Sequence, residues 1–152
     1  MRLVPEAEFT TQLCLPADEQ QLAQSRLIVR AKPLAQTLTG AVLEACIEVL
    51  DSYLVFMSDD IPSEDSLHIY RLDAHFSLQE SLTIGAAYCT GAFVLRELVA
   101  PAQVVFSFLG GGIWRLNLTP TPQMHMPLLS DPKAVSRPFG LSTRLKVQFE
   151  LP

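Results

Sequence analysis

Between Tyr53 and Thr119, apolar and polar positions fall into short segments, some strictly alternating and some wholly apolar, with Asp, Pro, Ser and Gly gathered between them. The segments are Tyr53 to Ser58, Leu67 to Leu72, Phe76 to Ile84, Ala92 to Leu98, Gln103 to Leu109 and Ile113 to Thr119. Runs of this length bounded by turn residues predict the strands of a β-meander. Leu78, Glu80, Leu82 and Ile84 share one face of their segment, and Gln79, Ser81 and Thr83 the other, the period a sheet with one dry face requires. Trp114, Leu116 and Leu118 alternate with Arg115 and Asn117 in the same way, so a slip of one residue would carry the Trp into water. Near the C-terminus Leu145, Val147, Phe149 and Leu151 alternate with Lys146, Gln148 and Glu150 as a further strand before Pro152.

Gly110, Gly111 and Gly112 stand between two such strands and supply the positive φ angles of a tight hairpin. A phosphate-binding loop would open a helix, whereas these glycines lead into Ile113, Trp114 and Arg115 in strand pattern. The first fifty residues are less regular. Phe9 to Leu15 predicts an edge strand, Pro16 to Ala23 a short helix with acidic residues in its first turn, and Leu27 to Ala31 a brief strand. Residues 39–50 fit either a strand, through alternating Leu43, Ala45, Ile47 and Val49, or a helix, through Glu44 and Glu48 on one face. We favour the strand, with Asp51-Ser52 as the turn into Tyr53.

These elements predict one mainly β domain over residues 1–152, an antiparallel meander closed as a barrel or two-layer sandwich of about 8–10 strands, with one short N-terminal helix. The fold becomes α+β if residues 39–50 are helical. A chain of 152 residues, 49% hydrophobic and 18% charged, can bury a core without disulfides or metal. Formal net charge is −5, with 11 Lys and Arg residues scattered along the chain, which argues against a nucleic-acid groove and toward a basic protein partner. Met1 to Phe9 lacks the pattern of a secretory leader, and no run of apolar residues is long enough for a membrane helix, so a cytoplasmic protein is expected. Cys14, Cys46 and Cys89 are odd in number and far apart, as expected of reduced thiols.

Two stretches break the strand rhythm. Ser58 to Asp65 carries four carboxylates, Asp59, Asp60, Glu64 and Asp65, without the ligand spacing of a calcium loop. It reads as a solvated loop that discourages edge pairing, or as an acidic surface that steers a basic partner. Residues 120–140 read as a long Pro-rich loop that also holds Met124, His125, Met126, Leu128 and Leu129. Those residues either fold back over an open end of the sheet or form a contact surface.

Catalytic chemistry would draw on His68, His75 or His125, on Cys89 as nucleophile, and on Asp59, Asp60 or Asp73 as orienting carboxylates, but none stands in a catalytic motif and no His or Cys pair has zinc-ligand spacing. The reading that ranks first is a non-enzymatic protein-binding module without cofactor or metal, which docks through Asp59, Asp60, Glu64 and Asp65 together with Met124, His125 and Met126. Inhibitors and immunity-type proteins share this composition, a comparison of class only. The alternative is a carrier of a small apolar ligand lined by Phe76, Phe93, Phe106, Phe108 and Trp114. An enzyme dependent on His68 or Cys89 ranks last.

Overall fold

The computed structural model describes residues 1–62 and 64–151, and among these it contains thirteen strands and no helix. The first five are β1 (Arg2–Leu3), β2 (Phe9–Leu15), β3 (Gln24–Val29), β4 (Lys32–Thr39) and β5 (Val42–Val49). They are followed by β6 (Ser52–Ser58), β7 (Leu67–Leu72), β8 (Leu78–Ile84) and β9 (Val94–Val99). The last four are β10 (Gln103–Ser107), β11 (Ile113–Met124), β12 (Val135–Ser136) and β13 (Ser142–Glu150). All pairings are antiparallel and build three sheets, in the orders β1-β5-β6-β7-β8-β12, β13-β11-β10-β9 and β2-β3-β4.

The six-stranded sheet lies in the middle. Ile47, Leu54, Phe56, Ile69, Leu82 and Ile84 on one face pack against Val104, Phe106, Trp114, Leu116, Leu145 and Val147 of the four-stranded sheet. Cys46, Val55, Met57, Tyr70 and Leu72 on the opposite face pack against Phe9, Leu27 and Leu38 of the three-stranded sheet. A strand buried on both faces has no wet side to encode, which is why β6 reads Tyr-Leu-Val-Phe-Met without alternation. β11 and β13 border only one core and do alternate.

Several expectations need correction. The sheets do not close into a barrel, whereas the strand favoured within residues 39–50 does form, as β5. Pro16 to Ala23 is not helical: Asp18 Oδ1 accepts from the amides of Gln20 (2.7 Å) and Gln21 (2.9 Å), and this Asx turn carries the chain from β2 to β3. The β5–β6 turn falls on Leu50 and Asp51, one residue earlier than expected, with Val49 paired to Ser52 and Leu50 at φ 53°. β4 has no counterpart in the sequence reading. β11 continues to Met124 through Pro120 and Pro122, and its pairing with β13 lapses between Leu118 and Gln123, where prolines without amide hydrogens leave no ladder to break. The glycine hairpin does form, with Gly110 and Gly111 at φ 86° and 67°.

Because both cores share one sheet, losing a side chain from either should weaken the same cooperative unit. Leu54→Ala in one core and Leu27→Ala in the other are each expected to cost about 2–5 kcal/mol and to shift a single urea transition. Two resolved transitions in either variant would show that the layers unfold separately.

Candidate functional site

The acidic loop between β6 and β7 turns half of its charge inward. Asp59 is buried, and its Oδ1 lies 2.8 Å from Nε2 of the buried His68, whose Nδ1 lies 3.0 Å from the Thr83 hydroxyl. Both ring nitrogens are therefore occupied by hydrogen-bond partners. Asp65 Oδ1 accepts from the amides of Asp59 and Ser66, which closes the loop on itself. Asp60 and Glu64 remain exposed. The histidine therefore ties the β6–β7 loop to β8, and the structure leaves two of the four named carboxylates facing solvent.

The remaining candidates are dispersed. Asp73 accepts from the amides of His75 and Ser77, bonds that hold its carboxyl below the usual carboxylate range, and the His75 side chain is exposed in that turn. Cys89 is exposed after β8, Cys14 is exposed on β2, and burial pushes the Cys46 thiol up to about 12. The five aromatic residues do not enclose one space. Phe76 stacks on Tyr53 beside the smaller core, while Phe93, Phe106 and Trp114 pack ring to ring in the larger one. Among the described residues no three His, Cys, Asp or Glu side chains converge as metal ligands, and no helix is long and apolar enough to cross a membrane.

The long segment after β11 is the most unusual region. It closes the open side of the sandwich, where β8 of the middle sheet and β13 of the four-stranded sheet face each other. Val135 and Ser136 pair with Ile84 and Thr83, and Pro138 stops that ladder from continuing along β8. Behind the segment runs a chain of charged groups. Arg137 binds Asp131 through Nη2 (2.6 Å) and Nε (2.9 Å) and donates from Nη1 to the Thr143 hydroxyl and the Leu145 carbonyl. Thr143 and the amide of Arg144 meet the Glu80 carboxylate, which also accepts from Arg71 Nε at 2.7 Å. His125 is buried with Nε2 3.5 Å from Asp131 Oδ2. No buried side-chain nitrogen or oxygen among the described residues lacks a hydrogen bond, so this chain is fully satisfied.

The segment is thus inside out. His125, Asp131 and Arg137 turn toward the protein, while most of its large apolar side chains face water: Leu128 is 99% exposed, Met124 84%, Phe139 82% and Leu129 75%, with Met126 and Leu141 also exposed. A cleft of about 520 Å³ lies between Leu128 and Phe139 with Lys133 at its edge, and a second of about 370 Å³ lies between Phe139 and Leu78. The acidic loop is a neighbour: the Gly85 amide donates to Ala134 O, and a Cβ on Gly85 would sit against the Ser66 hydroxyl. Of the residues named from the sequence, Met124 and Met126 lie on the outer surface and His125 beneath it. Glu80, Asp131 and Arg137 were missed. The available signal was Glu80, a carboxylate in the apolar row of Leu78, Leu82 and Ile84.

Glu80→Ala strands Arg71 and the Arg144 amide and is expected to cost about 3 kcal/mol, near the lower value for breaking a largely buried pair; a change within experimental error in urea denaturation would remove the network from the stability argument. The bidentate bond from Arg144 to Asp51, 2.9 and 3.0 Å, holds the Asp51 carboxyl down at about 2. A depressed carboxylate stabilises the fold above its unfolded value near 3.8, and that contribution is lost as pH falls through about 2. Asp51→Asn should therefore flatten the acid limb of the stability profile between those values, and an unchanged limb would contradict the pairing. Comparison of the chain with family models, with curated proteins and with solved structures gives no match.

Proposed function

We propose that this chain is a non-enzymatic protein-binding module that docks a protein partner through the outer surface of residues 124–141. The observation that carries the reading is the inversion of that segment. Burying His125 and covering most of Arg137 and Asp131 while leaving Leu128, Leu129, Phe139 and Leu141 in water runs against the usual partition, and a covering partner relieves it. The internal network holds the surface in one shape before binding, which lowers the ordering cost of association.

The partner is apolar at the centre of the contact and basic at its rim. Asp60 and Glu64 stand exposed on the adjoining loop, and the net charge of −5 attracts a cationic protein over distance. Apolar burial then supplies affinity, while the rim charges govern the rate of encounter.

The test pairs two surface variants with the wild type in capture from a native lysate and in kinetic binding to the retained protein. Leu128→Ser with Phe139→Ser should abolish retention while the thermal melt stays unchanged. Asp60→Asn with Glu64→Gln should slow association, most at low salt, with little effect on dissociation. Equal retention by wild type and the apolar variant, or no retained protein at all, would overturn the reading.

A further inference from the structure

Sheet edges are sites of unwanted pairing, and five of the six edges here are blunted among the described residues. β1 and β12 are two residues long. β2, β4 and β9 lie in ladders with a register shift. β13 also carries a register shift against β11, between Leu118 and Gln123, but it is the longest of the edge strands at nine residues, and its pairing with β11 runs without interruption from Leu145 to Glu150. Its other edge pairs with no strand among the described residues; the Leu145 carbonyl there accepts from Arg137 and the Leu145 amide donates to the Thr143 hydroxyl, so the open part is Val147 to Glu150. Ser130 to Pro132 stand off from that edge across a cleft of about 500 Å³, lined on the strand side by Val147 to Glu150.

The residues of this edge are complementary to themselves. If two copies of β13 run antiparallel with Gln148 opposite Gln148, then Lys146 of each falls opposite Glu150 of the other, and Val147 opposite Phe149. Lys146, Gln148 and Glu150 are exposed, and Val147 and Phe149 face the core, so charges meet on the outer face and apolar groups on the inner one. Leu151, 69% exposed past the end of the strand, falls opposite Leu145. Glu150 reaches only Arg115 within its own chain, at 3.5 Å and with both side chains exposed, a bond too weak to compete.

We propose that a second copy of this chain occupies the edge, so that two four-stranded sheets join through β13 into one continuous eight-stranded sheet about a two-fold axis at Gln148. Such an interface is isologous and closes at two copies, because each edge is used once. It adjoins the docking surface at residues 124–141 where Ser130 to Pro132 face the edge, but its test uses none of those positions.

Sedimentation equilibrium at about 0.15 M salt on the wild type, Lys146→Glu, Glu150→Lys and the double variant gives the decision. The wild type should show a concentration-dependent monomer–dimer equilibrium. Either single reversal places like charges opposite each other twice and should weaken it about tenfold. The double variant exchanges the two signs, restores both pairs and should recover wild-type association. Both positions carry exposed side chains, so loss of folding is not a competing explanation, and circular dichroism checks it. A wild type that stays monomeric to its solubility limit, a dimer indifferent to the single reversals, or a double variant as weak as the singles would each overturn the proposal.

Discussion

The arrangement rests on one sheet being dry on both faces. β6 and β7 bury Leu54, Phe56 and Ile69 toward one neighbouring sheet and Val55, Met57, Tyr70 and Leu72 toward the other. At about 25 cal/mol per Å² of apolar surface removed from water, these side chains are the main favourable contribution available to a helix-free chain of this size. Polar groups that enter this sheet have to arrive already paired. His68 sits between Asp59 and Thr83, and Glu80 between Arg71 and the start of β13.

That requirement explains the side on which the unusual chemistry collects. A sandwich of open sheets has flanks where backbone and core meet water, and here β8 and β13 form such a flank. Glu80 is met from within the two sheets, by Arg71, by the Thr143 hydroxyl and by the Arg144 amide, whereas the Leu145 carbonyl looks out onto the flank. The plug joins this arrangement through Arg137, which donates to the Thr143 hydroxyl and the Leu145 carbonyl and is held by Asp131, and most of its large apolar side chains are then displaced outward. The exposed Leu128 and Phe139 are in this sense the counterpart of the largely covered Arg137.

Legibility from sequence followed the number of faces each strand buries. β11 and β13 border one core and alternate, so Trp114, Leu116, Leu145 and Val147 could be placed from spacing alone. β6 and β7 were recognisable as strands from their apolar runs, but a run without alternation does not disclose that there are two cores or a third sheet. Residues 16–23 misled because Asp18 serves an Asx turn as readily as a helix start, and residues 120–124 because prolines suggest loop even where a strand tolerates them. The outer surface was half legible. Met124 and Met126 were picked out for their exposure in a Pro-rich stretch, whereas the Arg137–Asp131 pair depends on residues brought in from β8 and β13, which no local pattern announces.

The bonds that unite the layers join parts of the chain that are distant in sequence. Glu80 meets the Arg144 amide across 64 residues, and the Arg144 guanidinium meets Asp51 across 93. The meander hairpins, by contrast, close over turns as short as two residues, as between β5 and β6. Contact order is consequently high and uneven, with hairpins zipping locally long before the loop-closure entropy of the long-range staples is met. A chain built this way folds in milliseconds to seconds rather than microseconds. Until the plug seals β8 against β13, the flank it covers stays open to association with other chains.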